Sequence, residues 1–168
     1  MNDLSKDLLD KIKNLYEQKK FSKLETTIEN IKNFEGLPTN LQMIYAVSKA
    51  LNPNSKIQDY KKSAFFFEKI FLSDQTNLEP LYNFIIVSLK ANMHLRLNNL
   101  LEEVYKKHET DLKILEGLSK ANFFLGNMIR ATSYYEKLSN LTPNSFNNWT
   151  KFLGSINYHQ NLQQDQYL

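Results

Sequence analysis

The chain has 168 residues, enough for a domain with its own core, and 42 % of them are hydrophobic, which excludes wholesale disorder. Cysteine is absent, so disulfides, thiolate metal sites and cysteine nucleophiles are excluded. A net charge of +3 arises from 21 basic and 18 acidic side chains mixed along the chain, and no basic run of the kind that marks nucleic-acid binders is present.

With four Gly and four Pro, turns are few and the segments between them long, which predicts helices rather than a many-stranded sheet. The register comes from a recurring pattern. Phe66-Phe67-Glu68-Lys69-Ile70 returns 34 residues later as Leu100-Leu101-Glu102-Glu103-Val104, and after another 34 as Tyr134-Tyr135-Glu136-Lys137-Leu138. Extended both ways, it divides residues 1–168, read as a single domain, into units 5–38, 39–77, 78–111, 112–145 and a partial unit 146–168.

In chain order, the segment from Met1 to Asp7 lacks the basic-then-apolar pattern of a signal peptide. Unit 5–38 turns at Lys19-Lys20-Phe21, before Leu24, Ile28 and Ile31. Unit 39–77 is the long one, its extra residues falling at Asn52-Pro53-Asn54-Ser55-Lys56, where the turn inside a helical hairpin is expected. In unit 78–111, Leu81, Phe84, Ile85, Ser88 and Leu89 mark one helix and Leu97, Leu101 and Val104 a second. Unit 112–145 repeats this with Leu115, Leu118, Asn122 and Phe123, then, after Gly126-Asn127, with Ala131, Tyr134, Tyr135, Leu138 and Leu141. Pro143-Asn144 stops it. No run of 18 apolar residues occurs, so no membrane-spanning helix is expected and a cytoplasmic location is the default.

The fourth unit carries Leu115, Leu118-Ser119, Gly126, Ala131, Tyr135, Leu138 and Pro143 at the offsets of a tetratricopeptide repeat (TPR), and the fifth opens with Trp149 and Phe152. On these residues the chain resembles TPR proteins. The resemblance implies an all-α, right-handed α-solenoid of about four and a half helical hairpins. Small residues such as Ser119 and Ala131 would let paired helices approach, and Phe67, Leu101 and Tyr135 would fill the space between hairpins. Asn122 in place of an aromatic, Ile85 in place of a small residue and Glu109 in place of the closing proline predict locally looser packing.

A catalytic site is not legible. His94, His108 and His159 are far apart and lack the spacing of metal ligands; surface positions are expected. Glu102-Glu103, and Glu25 with Glu29, read as solvated helix faces with lysines nearby. There is no Gly-rich phosphate loop, no Gly-x-Ser-x-Gly elbow, and no residue that calls for a cofactor. Among Phe65, Phe66, Phe67 and Phe71, the repeat places Phe67 in the core, with Ile70 beside it and Ala64 at the tight contact. Phe65 or Phe66 is expected at the surface, covered by the widened turn.

Helical solenoids bind partners on the concave face formed by the first helix of each unit. That face is expected to carry Tyr82, Asn83, Ile86 and Lys90; Lys113, Glu116, Lys120 and Phe124; and Asn147, Lys151 and Asn157. Lysine, asparagine and aromatic residues suit an extended peptide of a protein partner, the alternative being a wetted surface without a dedicated ligand. Chaperone-binding TPR proteins hold a C-terminal carboxylate on lysines and asparagines. The matching positions here are Leu9, Tyr82, Glu116 and Thr150, so that clamp is not expected. Of the asparagine ladder of O-linked N-acetylglucosamine transferases, only Asn83 is matched, the other positions being Asp10, Ile44, Gly117 and Lys151.

The segment from Trp149 to Leu162, with its Asn157-Tyr158-His159, resembles the junction between repeats and catalytic domain in bacterial SPINDLY-type transferases. This implies an alternative: a substrate-recruiting arm of such an enzyme, lacking its C-terminal catalytic domain, with Gln163 onward starting the next helix. A TPR arm fused to a sulfotransferase is a weaker version of the same idea.

Overall fold

The computed structural model describes residues 5–31 and 36–164, with backbone alone from 159 onward. Among the described residues there are nine α-helices and no strand: α1 (Lys6–Glu17), α2 (Phe21–Glu29), α3 (Thr39–Leu51), α4 (Ile57–Ser73), α5 (Glu79–Lys90), α6 (His94–Tyr105), α7 (Leu112–Phe124), α8 (Met128–Leu141) and α9 (Phe146–Gln164). None of the described helices is long and apolar enough to cross a membrane. The chain forms two compact units, Met1–Ala91 and Asn92–Leu168.

In the first unit each helix packs on its successor from α1 to α5. Ser5 caps α1 by accepting from the Leu8 amide at 3.3 Å. The helix closes with Lys19 at φ 54°, while the Lys20 and Lys19 amides reach back to the Leu15 and Tyr16 carbonyls at 2.9 Å. This is a Schellman closure, which satisfies carbonyls the helix end would orphan. The core runs through Ile12, Leu24 and Ile28, then Leu41, Tyr45, Ala46, Ala64, Phe67, Phe71, Leu81, Phe84 and Val87. Ala46, Ser63 and Ala64 are fully buried, and the Ser63 hydroxyl donates to the Ala46 carbonyl at 3.0 Å, so small side chains set the α3–α4 approach. Of the phenylalanine run, Phe66, Phe67 and Phe71 are buried and Phe65 is exposed. The widened turn leaves Phe65 uncovered and meets the start of α2 instead, where the Asn52 amide donates to Ser22 Oγ (3.2 Å) and Glu25 Oε1 (2.9 Å).

Glu29 is exposed, as its sequence suggests, whereas Glu25 is half-buried, and both pair with a lysine. The ammonium of Lys49, a residue only 4 % exposed, lies 3.1 Å from Glu25, 3.3 Å from Glu29 and 3.3 Å from Asp59. Tyr45 donates its hydroxyl to Glu29 at 2.5 Å, and its ring centroid lies 5.1 Å from the same ammonium. A lone buried ammonium would be costly; three carboxylates from two helices compensate it. Burial lowers the Lys49 pKa, but the Glu25 hydrogen bond and surrounding negative charge outweigh it and the net shift is upward. For Glu29, burial is likewise outweighed by the Tyr45 hydrogen bond and the Lys49 charge, and the carboxyl lies below its ordinary value.

In the second unit, α6 packs on α7, α7 on α8 and α8 on α9. Asp111 caps α7, its carboxylate accepting from the Lys113 and Ile114 amides at 2.9 and 3.0 Å. Gly126, at φ 78°, closes α7 with a second Schellman pair: the Asn127 amide donates to Asn122 O and the Gly126 amide to Phe123 O. Leu97, Leu101, Ile114, Leu115, Leu118, Ala121, Ala131 and Leu138 are buried together. Asn122 does not loosen this core. It is fully buried, and its amide donates to Asn98 Oδ1 at 2.7 Å and to the Leu118 carbonyl at 2.9 Å, tying α7 to α6. Glu109, in place of the repeat's closing proline, pairs with Lys137 at 3.3 Å. The stretch from Phe146 runs as one helix to Gln164, so Gln163 lies at the end of α9 and starts no new helix. The run from Ile156 to Gln164 contains neither Gly nor Pro to interrupt it.

Candidate functional site

Glu116, Lys120 and Phe124 recur every four residues on α7 and therefore share one stripe of that helix. Lys151 reaches them from α9. Its ammonium lies 3.2 Å from Glu116 Oε1, and the Lys120 ammonium lies 2.8 Å from the same oxygen. Four of the predicted site residues thus belong to one surface of the second unit, three of them in a single ionic cluster. Burial raises the Glu116 carboxyl, but hydrogen bonds and charge from Lys120 and Lys151 outweigh it and hold the group below its ordinary value. Lys113 is exposed two turns ahead of Lys120 on α7.

Beyond Lys120 the surface becomes aromatic. Phe124 is 60 % exposed, yet it is fixed: it stacks on His94 of α6 at 4.6 Å with an interplanar angle of 18°, and meets Phe123 edge-on at 5.8 Å. Phe123 in turn meets Tyr158 of α9 edge-on at 5.8 Å. Edge-to-face and stacked contacts of this kind hold rings in place at modest energy. Burial lowers the His94 pKa, and His94 Nδ1 is buried without a hydrogen-bond partner. His94, Phe123 and Tyr158 were absent from the site expected from sequence. Tyr158 follows Lys151 by seven residues on α9, which is the signal that could have placed it on the same face.

Tyr82, Asn83 and Lys90 lie on α5, in the other compact unit. Tyr82 and Asn83 are half-buried, and Ile86 between them and Lys90 is exposed. The Lys90 ammonium sits 5.1 Å from the ring centroid of Tyr60 on α4. Among the described residues no three His, Asp or Glu side chains converge as metal ligands. Asp111 is engaged as a helix cap and Glu109 as an ion-pair partner.

Neither a protein-family profile nor a curated protein matches this sequence. Solved structures do match. The structure titled MamA MSR-1 C2 aligns at a TM-score of 0.68 with 13 % identity, covering 96 % of this chain and 88 % of that one. MamA 41-end from Desulfovibrio magneticus RS-1 gives 0.68 and 13 %, covering 98 % and 96 %. MamA AMB-1 C2221 gives 0.66 and 12 %, covering 95 % and 89 %. At such identities the likeness establishes the fold alone. It is an all-α helical-repeat fold of the tetratricopeptide type.

Proposed function

We propose that this chain is a non-catalytic protein-interaction module, acting in the cytoplasm, that binds an extended peptide segment of a partner protein on its first-helix faces. Glu116, Lys120, Phe124 and Lys151 form the centre of the site in the second unit, with Lys113 beside them. Tyr82, Asn83 and Lys90 form a separate candidate face on α5 of the first unit. The observation that carries this reading is the pair of exposed rings, Phe124 and Tyr158, locked in orientation beside an ionic cluster. Rigid aromatic groups at a surface lose little conformational entropy on binding and are common anchors of protein interfaces.

The test is selection of peptides from a displayed random library, followed by titration against the protein and its Phe124→Ser/Tyr158→Ser double variant. Micromolar binders that lose at least about tenfold affinity to the double variant, with an unchanged circular-dichroism spectrum, support the reading. Binders indifferent to both rings would remove this face from consideration. The alternative, a recruiting arm of a SPINDLY-type transferase or of a sulfotransferase, rests on the Trp149–Leu162 resemblance for the former and on analogy for the latter. An open reading frame continuing from Leu168 into a catalytic domain would favour it.

A further inference from the structure

We propose that the α7–α9 face selects acidic segments, and that Glu116 is a built-in competitor holding the lysine pair until a partner carboxylate displaces it. The inference rests on the peptide-binding reading above and specifies its ligand.

The geometry is that of an occupied anion site. Two ammonium groups from different helices converge within 3.2 Å of one carboxylate oxygen. One carboxylate between two lysines leaves a local charge of about +1, so the cluster attracts a further anion. The side chains of Glu116, Lys120 and Lys151 are 39 %, 34 % and 26 % exposed, so an incoming carboxylate reaches them without any helix moving. Ion pairs this open to water are weak, and Glu116 is displaced at little cost. Lys120 and Phe124 are one helical turn apart, about 5.4 Å. Alternate residues of an extended peptide point the same way about 6.6 Å apart. An acidic residue and an aromatic residue separated by one position therefore reach the lysines and the rings together.

The probe is a fluorescein-labelled peptide, Gly-Glu-Ser-Phe-Ser-Glu-Gly, blocked at both ends, which presents the spacing in either chain direction; its control carries Gln for both Glu. Anisotropy titrations at low salt compare the unaltered protein with Glu116→Gln, Lys120→Ala/Lys151→Ala and Phe124→Ser/Tyr158→Ser. The acidic peptide should bind about tenfold tighter than its control, and Glu116→Gln should tighten it a further threefold to tenfold while leaving the control unchanged. Loss of both lysines should erase the difference between the peptides, as should salt at about 0.5 M. The proposal is overturned if Glu116→Gln leaves acidic-peptide affinity unchanged or weakens it, or if neither peptide binds. Should the library peptides still depend on Phe124 and Tyr158 in that case, the interaction face stands and only the acidic preference and the competitor fall. Indifference of every peptide to the two rings removes the face itself.

Discussion

Lys19, Asn92 and Gly126 take φ values of 54°, 56° and 78°, a region that side chains beyond Cα normally avoid. For Gly126 nothing lies within 4 Å of where a Cβ would be, so the effect of Gly126→Ala is purely one of backbone conformation. That substitution should destabilise by about 1 kcal/mol, and Lys19→Gly should stabilise by a similar amount, both measured by urea denaturation. Lys49 is a different kind of residue-scale feature. Lys49→Met leaves Glu25, Glu29 and Asp59 facing one another, and a loss of about 2–4 kcal/mol is expected after allowance for the exposure of Glu29 and Asp59.

The same cluster sets a pH signature. Glu29 and Asp59 lie below their ordinary values, Asp59 chiefly through its hydrogen bond from the Lys56 amide. Their contribution is complete above the unfolded-chain values of about 4 and is lost as pH falls through the lower folded ones. Lys49 is raised, so its contribution is complete below about 10.4 and is lost as pH rises through the folded value. Stability should therefore stay level from about pH 5 to 10 as far as these groups are concerned, and fall below about pH 4. In Lys49→Met the crowded carboxylates repel, and mild acid should recover part of the loss. Thermal unfolding from pH 3 to 7 distinguishes the two behaviours.

At the scale of elements, α6 and α7 are joined by a hydrogen bond between two buried amides. Asn122→Ala strands Asn98 Oδ1 without its donor and should cost about 1–3 kcal/mol. Replacing both residues by Leu removes the polar groups together and should cost less than the two single changes combined, as read from a double-mutant cycle. The helices themselves were legible in the sequence. The 34-residue recurrence carried Phe67, Leu101 and Tyr135, and all three are buried in α4, α6 and α8. The polar interior was not legible. Lys49 meets partners 24 and 20 residues before it and 10 after, and Asn122 meets Asn98 across 24, separations that follow neither the helical period nor the repeat. The candidate site was half legible: the repeat register put Glu116, Lys120 and Phe124 on the first helix of their unit, whereas the contact from Phe123 to Tyr158 needed α9 to be placed against its neighbours.

For the whole molecule, stability in helical-repeat proteins is a sum of local terms, each repeat touching only those beside it. Damage should therefore stay local. Hydrogen exchange of Asn122→Ala should speed up first in α6 to α8, while amides of α1 to α3 keep their protection. Uniform acceleration along the chain would show instead that all helices unfold as one cooperative body.

Trp149 is the sole tryptophan, and it occupies a telling place. Its indole N–H donates to the Pro143 carbonyl at 3.0 Å across the α8–α9 turn, and its ring meets Phe152 edge-on at 5.9 Å. Lys151 stands two residues further along the same helix. The protein thus carries its own optical gauge of how α9 is seated: a red shift in tryptophan emission reports detachment of that helix, and a change on adding peptide reports an event at the lysine pair without any label.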